Sequence, residues 1–526
     1  MMGGDVDAAA KGIAGIHISG NQAYFLVIVS IKEVHAFGAA SIVYFFIKFS
    51  LSYWKKRGIL HKNPSFLWGN LKGVGSRRHI AHALHEVYEL YKDTEGPFVG
   101  FYFFIKPMIM VLKLDVINQI LNEDFEYFSD RGFYCNTEQE PLLGNLMRLD
   151  GEEWGKLRTQ ICPVFEYDHL VEMYSKLLQV ANTFRETLLK AQSQKDVFNI
   201  NELVESYNVD VIASLAFGLN DINSLLDAEV EFRQMCQKCY SRKNLLKDYL
   251  AFSYPNLAKL LQYRSIHHLA SIYFSESVET KMNERSWLRR EKQTETDFLQ
   301  MFMDLDQHES PKTGYLRKKE IAAQAFSFVH HGLEALNVTL AFCLYELALQ
   351  PKLQDHVRTE IKEVLAKNNG TLNVESLKEM KYMDQVLSET LRLHPPFTFL
   401  LRQTTQDYEI PDSIFILKKG NHIIIPVAAI HHDPRIYQNP SQFDPNRFSP
   451  SLVDQRHPMS CLPFGYGPRN CVAAQFAKVQ ALVGLVTLLR DFEFSVYSET
   501  EIPFDYDFKR LLLRPKSDIV LKVERV

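Results

Sequence analysis

Phe464-Gly465-Tyr466-Gly467-Pro468-Arg469-Asn470-Cys471-Val472-Ala473, near the end of a 526-residue chain, joins an aromatic residue, a glycine-rich turn, an arginine and a cysteine that opens an apolar helical run. Gly465 and Gly467 let the backbone pass close to a flat group where a side chain would collide, and Pro468 stiffens the turn. Arg469 places a permanent cation two residues before the cysteine, suited to a carboxylate. Cys471 falls at the predicted N-terminus of a helix running to Arg490, where free N–H groups and the helix dipole favour a thiolate over a thiol. Together these features suit a haem held through one iron–thiolate bond, with Arg469 on a propionate. A lone core cysteine in a glycine-rich loop is the plainer alternative, so the decision rests on what accompanies it.

Upstream, Glu389-Thr390-Leu391-Arg392 lies in the amphipathic run Tyr382–Leu393, which Pro395-Pro396 terminates. Residues three apart share a helix face, so Glu389 and Arg392 can pair; on a surface such a pair contributes little. Phe443-Asp444-Pro445-Asn446-Arg447-Phe448 follows, and Trp154 and Arg158 stand four apart in a predicted helix, placed to reach one anionic group. Ile414–Leu417, the turn Lys418-Lys419-Gly420-Asn421 and His422–Pro426 predict a hairpin. The neighbouring His431-His432-Asp433-Pro434 is not a metal motif.

With these companions the chain resembles the cytochrome P450 family of haem-thiolate monooxygenases from about Asn63 to the C-terminus, with the motifs in family order. Phe128-Ser129-Asp130-Arg131-Gly132 and Asp297-Phe298-Leu299-Gln300 look closest to microsomal detoxification members of insects. The resemblance implies a mainly α fold with small β-sheets in a single large haem domain. It implies haem b as cofactor, with Cys471 as the metal ligand and Phe464 and Arg469 against the haem. Trp154, Arg158, Arg402 and Arg131 become propionate donors, and Glu389, Arg392 and Arg447 a buried structural triad behind the haem. Asn446 stands where an acid is commoner. The implied partners are NADPH–cytochrome P450 reductase, cytochrome b5 as a second electron donor, and a small lipophilic substrate, xenobiotic or an endogenous lipid or hormone; the protein is expected to be a monomer.

Composition agrees. A formal charge of −4 gives no reason to invoke nucleic acid. Thirty-six phenylalanines suit a large apolar interior. Seven irregularly spaced cysteines do not make a disulfide framework, and Cys236-Gln237-Lys238-Cys239 lacks the second pair that a zinc site requires. His79, His82 and His85 fall at helical spacing and read as a solvated face. No linker or repeat splits the region after Asn63.

Residues 1–35 read as an N-terminal extension of unknown role, 36–53 as a membrane anchor, 54–70 as a basic, proline-bearing linker and 71–526 as the haem domain. Phe37–Tyr53 carries no charge except Lys48 and is near the lower limit for spanning a bilayer. Trp54 reads as an interfacial aromatic and Lys55-Lys56-Arg57 as the positive-inside cluster, which places the remainder in the cytosol. The run Ala23–Ile31 is too short to span. No arginine precedes Arg57, which counts against a mitochondrial transit peptide. An endoplasmic reticulum membrane protein with a cytosol-facing catalytic domain is expected.

The run Ile321–Leu349 reads as the helix on the oxygen side, with Gly332 at its midpoint. Where the family pattern is Ala-Gly-x-Asp/Glu-Thr, this chain has His331-Gly332-Leu333-Glu334-Ala335. The family's threonine hydroxyl orders the waters that deliver protons during oxygen activation; Ala335 offers no hydrogen bond. Thr339 lies about one turn on, roughly 6 Å away, and Asn337 points to another face. His331 would block the oxygen site, bond to oxygen, narrow the pocket, or turn aside to a backbone carbonyl or a water. Two functions follow. One is monooxygenation, with Glu334 and His331 as the catalytic pair and Glu334 assisting proton delivery. The other is a haem-thiolate protein that does not activate oxygen: an isomerase or dehydratase of an oxygenated lipid, or a ligand binder with little turnover. Pocket walls are expected from Tyr134–Asn145, Leu225–Phe252, Phe326–Leu336 and Phe397–Leu401.

Overall fold

The computed structural model describes residue 35 and residues 37–220, 222–227, 230–240, 245–288, 295–305, 316–410 and 415–526. Almost all of the N-terminal extension, the run Ala23–Ile31 and Ile414 lie outside the described residues.

Three helices form the centre, and their apolar residues are spread around the axis rather than confined to one stripe. Ile200–Phe217 is buried at every position from Leu203 onward. Its start is capped by Asn199, whose side chain accepts from the N–H groups of Asn201 and Glu202, and its end by Gly218 at φ +67°. It packs against Tyr167–Gln192 and against the second core helix, Lys318–Leu349. The third, Ala474–Leu489, carries Gly484 where a Cβ would strike the Tyr207 ring, so the two helices meet closely there; the Tyr207 hydroxyl donates to the Gln480 carbonyl at 3.0 Å. Around this core stand Pro351–Lys367 and Lys381–Leu393.

The β structure is small, as expected, but joined differently. A four-stranded sheet has the order Phe98–Phe103, Lys106–Val111, His422–Ile425, Leu400–Gln403. Its middle pair is parallel, with Met108 opposite His422. The predicted hairpin is therefore not formed: the turn is present, but Ile416–Leu417 pairs with Tyr408–Glu409 in a separate two-stranded sheet. His422–Ile425 is buried at all four positions and takes neighbours on both sides, which a hairpin partner could not have provided. A three-stranded sheet of Val197–Asn199, Val520–Arg525 and Phe492–Val496 closes the C-terminus.

The apolar helix Phe37–Ser50 presents Phe37, Ile42, Val43, Phe45, Phe46 and Phe49 outward. Trp54, expected at a membrane interface, is instead buried. Its Nε1 donates to the Phe101 carbonyl at 3.2 Å and its ring covers Gly100, where any Cβ would collide with it. The sole described helix long and apolar enough to cross a bilayer is Lys318–Leu349, and most of it is enclosed by protein. His79 also differs from expectation. It is a buried N-cap that accepts from the Ala81 N–H at 3.1 Å, while His82 is exposed and His85 half-buried.

Candidate haem and substrate site

The cysteine loop is folded by its own backbone. The Cys471 N–H donates to the Phe464 carbonyl at 2.8 Å and the Asn470 N–H to that of Gly467 at 3.0 Å. Gly465 and Gly467 have φ of +70° and +72°, where glycine is favoured. A Cβ on Gly467 would collide with the carbonyl of Leu121, so the close approach there is to backbone; on Gly465 it would meet ordinary contacts. The following helix begins at Ala474, three residues beyond Cys471 rather than at it. Cys471 opens onto a cavity of about 490 Å³. Burial pushes its thiol up, opposed by the Ala473 N–H and the cations Arg158 and Arg131.

The predicted propionate donors all line this cavity, together with Phe464, but they are not equivalent. Arg402 is buried, gives one bond to the Leu401 carbonyl at 2.8 Å and leaves Nε without a partner. Arg469 donates from Nη2 to Asp150 and the Leu149 carbonyl, both at 2.8 Å, leaving Nε and Nη1 unpaired. Its guanidinium lies 4.2 Å from the centre of the Trp154 ring. Arg131 spends its guanidinium on the carbonyls of Leu146, Met147 and Arg469. Arg158 braces the cysteine loop through the Asn470 carbonyl and Oδ1 at 3.1 and 2.7 Å. Burial and the neighbouring Arg469 push Arg402 down to about 9, opposed by Asp150, and burial pushes Arg469 down to about 10. An excess of buried cation with unpaired N–H groups, beside a thiol, is what a planar dianionic macrocycle needs. The residues present fit a haem.

Behind the cysteine loop, Glu389 and Arg392 are fully buried and joined by two bonds, Nε to Oε2 at 2.7 Å and Nη2 to Oε1 at 2.8 Å. Arg447 Nε stands 3.4 Å from Glu389 Oε1, and the Asp444 N–H donates to the same oxygen at 2.9 Å. Arg392 also donates to the His431 carbonyl at 2.8 Å. The geometry brings the three predicted partners together; Asn446 is absorbed locally by a bond to Asp444.

Across the cavity, Lys318–Ser327 widens into a π turn over Phe328–Leu333 before the α-helix resumes at Glu334. Such turns recur at functional sites. This one lays His330, His331, Gly332, Glu334 and Ala335 along the cavity wall. His331 Nε2 is buried without a partner, and burial holds its ring well below the usual histidine range. Glu334 Oε1 is likewise unpaired, and burial raises its carboxyl despite Arg510 and Arg514. The hydroxyls carried by this helix beside the cavity are spent: Thr339 donates to the Ala335 carbonyl at 2.8 Å and Ser327 to that of Gln324 at 2.6 Å. Asn337 accepts from Asn208 Nδ2 at 2.8 Å, on another face.

Of the expected walls, Phe397–Leu401 and the stretch around Phe326–Leu336 line the cavity, and Leu225–Phe252 contributes its second half. From Tyr134–Asn145 only Tyr134 does so; the wall continues instead through Leu146, Met147 and Arg148. The C-terminal turn Lys509–Leu512 was missed, having no pattern of its own. Arg148 and Asp248 were also missed, because each reads locally as an ordinary surface charge. Cys236 and Cys239 are buried and unbonded.

The sequence profile of the family described as Cytochrome P450 matches residues 61–523. Probable cytochrome P450 6u1 of Drosophila melanogaster is 45% identical over 492 residues, covering 93% of this chain and 97% of the relative. Probable cytochrome P450 6a14 of the same species is 40% identical over 90% of this chain and 96% of the relative. Cytochrome P450 6A1 of Musca domestica is 35% identical over 93% and 96% respectively.

Proposed function

Because the chain belongs to the cytochrome P450 family, and is a haem-containing oxidoreductase of its monooxygenase class, we propose that it inserts one oxygen atom from O2 into a small lipophilic substrate, using electrons from NADPH–cytochrome P450 reductase. The observation that carries this reading is the convergence on one apolar cavity of the Cys471 thiol, the unpaired N–H groups of Arg402 and Arg469, and the altered helix bearing Glu334.

When bound, the haem supplies the activation of oxygen. In this proposal Cys471 is its sole protein ligand on the loop side, while Arg402, Arg469 and Trp154 hold its propionates. Arg158 and Arg131 act chiefly by bracing the surrounding backbone, given the bonds they already make. Glu334, its carboxyl raised by burial, holds a proton at the cavity wall and passes it inward through water. His331 stays neutral, crowds the same wall and excludes bulky groups from it. The exposed apolar helix Phe37–Ser50 lies in the endoplasmic reticulum membrane with the haem domain in the cytosol, and residues 71–526 form that domain. A monomeric state and cytochrome b5 as a second donor belong to the same proposal.

One observation favours a second reading, that oxygen is not activated: Ala335 has no hydroxyl and Thr339 has committed its own to a backbone carbonyl. The full chain in lipid vesicles with the reductase and NADPH separates the two. Monooxygenation requires NADPH-dependent oxygen consumption. An intact haem-thiolate spectrum with no oxygen consumed would establish the second reading.

A further inference from the structure

One cation in the cavity is not among the residues assigned above to the haem. Arg148 lines the wall, its guanidinium 5.3 Å from the centre of the Phe133 ring. Its Nε is buried without a partner, and among the described residues its guanidinium makes no hydrogen bond or ion pair. The carboxylates near it are engaged elsewhere. Glu140 accepts from the backbone N–H groups of Ser265 and Ile266 at 2.8 and 2.7 Å. Asp248, on the same wall, accepts from the Tyr263 hydroxyl and acts on Arg148 only through space. Every other arginine discussed above has at least one carbonyl or carboxylate bonded to it.

A guanidinium set into the protein with no counter-ion bonded to it is unfavourable, and burial pushes its protonation down against the through-space pull of Asp248 and Glu140. Its fork matches a carboxylate with two parallel N–H bonds. The group is singly charged, and the Asp248 and Glu140 carboxylates that act on it through space disfavour a ligand with more than one negative charge. The walls beside it are aromatic, with Phe103, Phe133, Tyr249 and Phe252. We propose that Arg148 is a specificity-determining residue that holds the carboxylate of a lipophilic monocarboxylic acid, with the apolar tail along the aromatic wall. This rests on the haem-protein reading above and deepens it by naming the substrate class.

The test compares dodecanoate with methyl dodecanoate by equilibrium dialysis against the haem-loaded full chain, with the reduced carbon monoxide spectrum recorded on each sample. The native chain should bind the acid at least about tenfold more tightly than the ester, the scale of a charge-assisted bond. Arg148→Met should abolish that preference, leave ester binding unchanged and keep haem content and spectrum intact. Arg148→Lys should retain part of it. Equal binding of acid and ester by the native chain, or a preference that survives Arg148→Met, would overturn the proposal while the spectrum upholds the haem reading. Loss of haem in Arg148→Met with a normal native spectrum would also overturn it, by assigning the residue to a propionate. A native chain with no thiolate-type spectrum would instead remove the reading on which the proposal stands.

Discussion

Glu389 and Arg392 meet through two parallel hydrogen bonds of 2.7 and 2.8 Å with neither side chain exposed to solvent. Sequence spacing permits such a pair on any helix; its burial changes what it does. Removing one partner strands the other as an uncompensated charge, at a cost of about 3–5 kcal/mol. Glu389→Ala should therefore give haem-poor protein of much reduced stability, measured by haem content and denaturant unfolding. Arg447→Ala should be milder, since that residue approaches Glu389 only at 3.4 Å.

The two glycines of the cysteine loop should separate in their tolerance. Gly465→Ala carries the left-handed backbone penalty of about 1–2 kcal/mol, because its Cβ meets only ordinary contacts. Gly467→Ala adds a collision with the Leu121 carbonyl and should lose haem as well as stability. Thermal unfolding and haem content of the two variants check the ranking.

Acid should destabilise the fold through buried histidines. His431 accepts the Leu462 N–H at Nε2, at 2.9 Å, and stands 3.1 Å from the Arg392 carbonyl at Nδ1, and burial holds it down to about 3. Its folded value lies below its unfolded one, so between pH 6.5 and 3 the unfolded chain binds the proton and the native chain does not. Stability is then complete above pH 6.5 and falls with pH, by about 2 kcal/mol at pH 5 for this residue. His431→Gln should flatten that slope in denaturant titrations at pH 7.5 and 5. An unchanged slope would show that His431 protonates freely in the fold.

The altered oxygen-side helix should make turnover wasteful. His331 and Ala335 line one wall, and the Thr339 hydroxyl one turn on is committed to the Ala335 carbonyl. Much of the reducing power should leave as hydrogen peroxide. His331→Ala combined with Ala335→Thr should at least halve the peroxide formed per NADPH and raise product yield correspondingly. A peroxide ratio identical in both proteins would show that these residues do not govern coupling.

Much of the site was readable because its chemistry is written in short local motifs. The cysteine loop and the Glu389–Arg392 spacing each depend on neighbours within a few residues, whereas the Trp154 ring lies beside Arg469 and Arg158 bonds Asn470. Where partners are distant in sequence, local pattern misled. His422–Ile425 looked like half of a hairpin, yet pairs with Lys106–Val111 more than three hundred residues away. Trp54 beside a basic cluster resembled a membrane-interface residue; only Gly100 on a folded sheet reveals why it is buried. His79 looked solvated because a histidine N-cap and a surface histidine share the same local sequence. The π turn at Phe328–Leu333 has no compositional mark, and Arg148 becomes unusual only once its lack of a partner is visible.

The central claim, that Cys471 is the residue on which haem binding converges, is tested most directly by the reduced carbon monoxide difference spectrum of the native chain and of Cys471→Ala. The native chain should give the long-wavelength band of a thiolate-ligated haem, since Cys471 opens onto the cavity with Arg402 and Arg469 beside it. Cys471→Ala should lose that band while Cys461→Ala, altering a neighbouring cysteine, keeps it. A thiolate-type band that persists in Cys471→Ala would place the ligand elsewhere and contradict this assignment of the site.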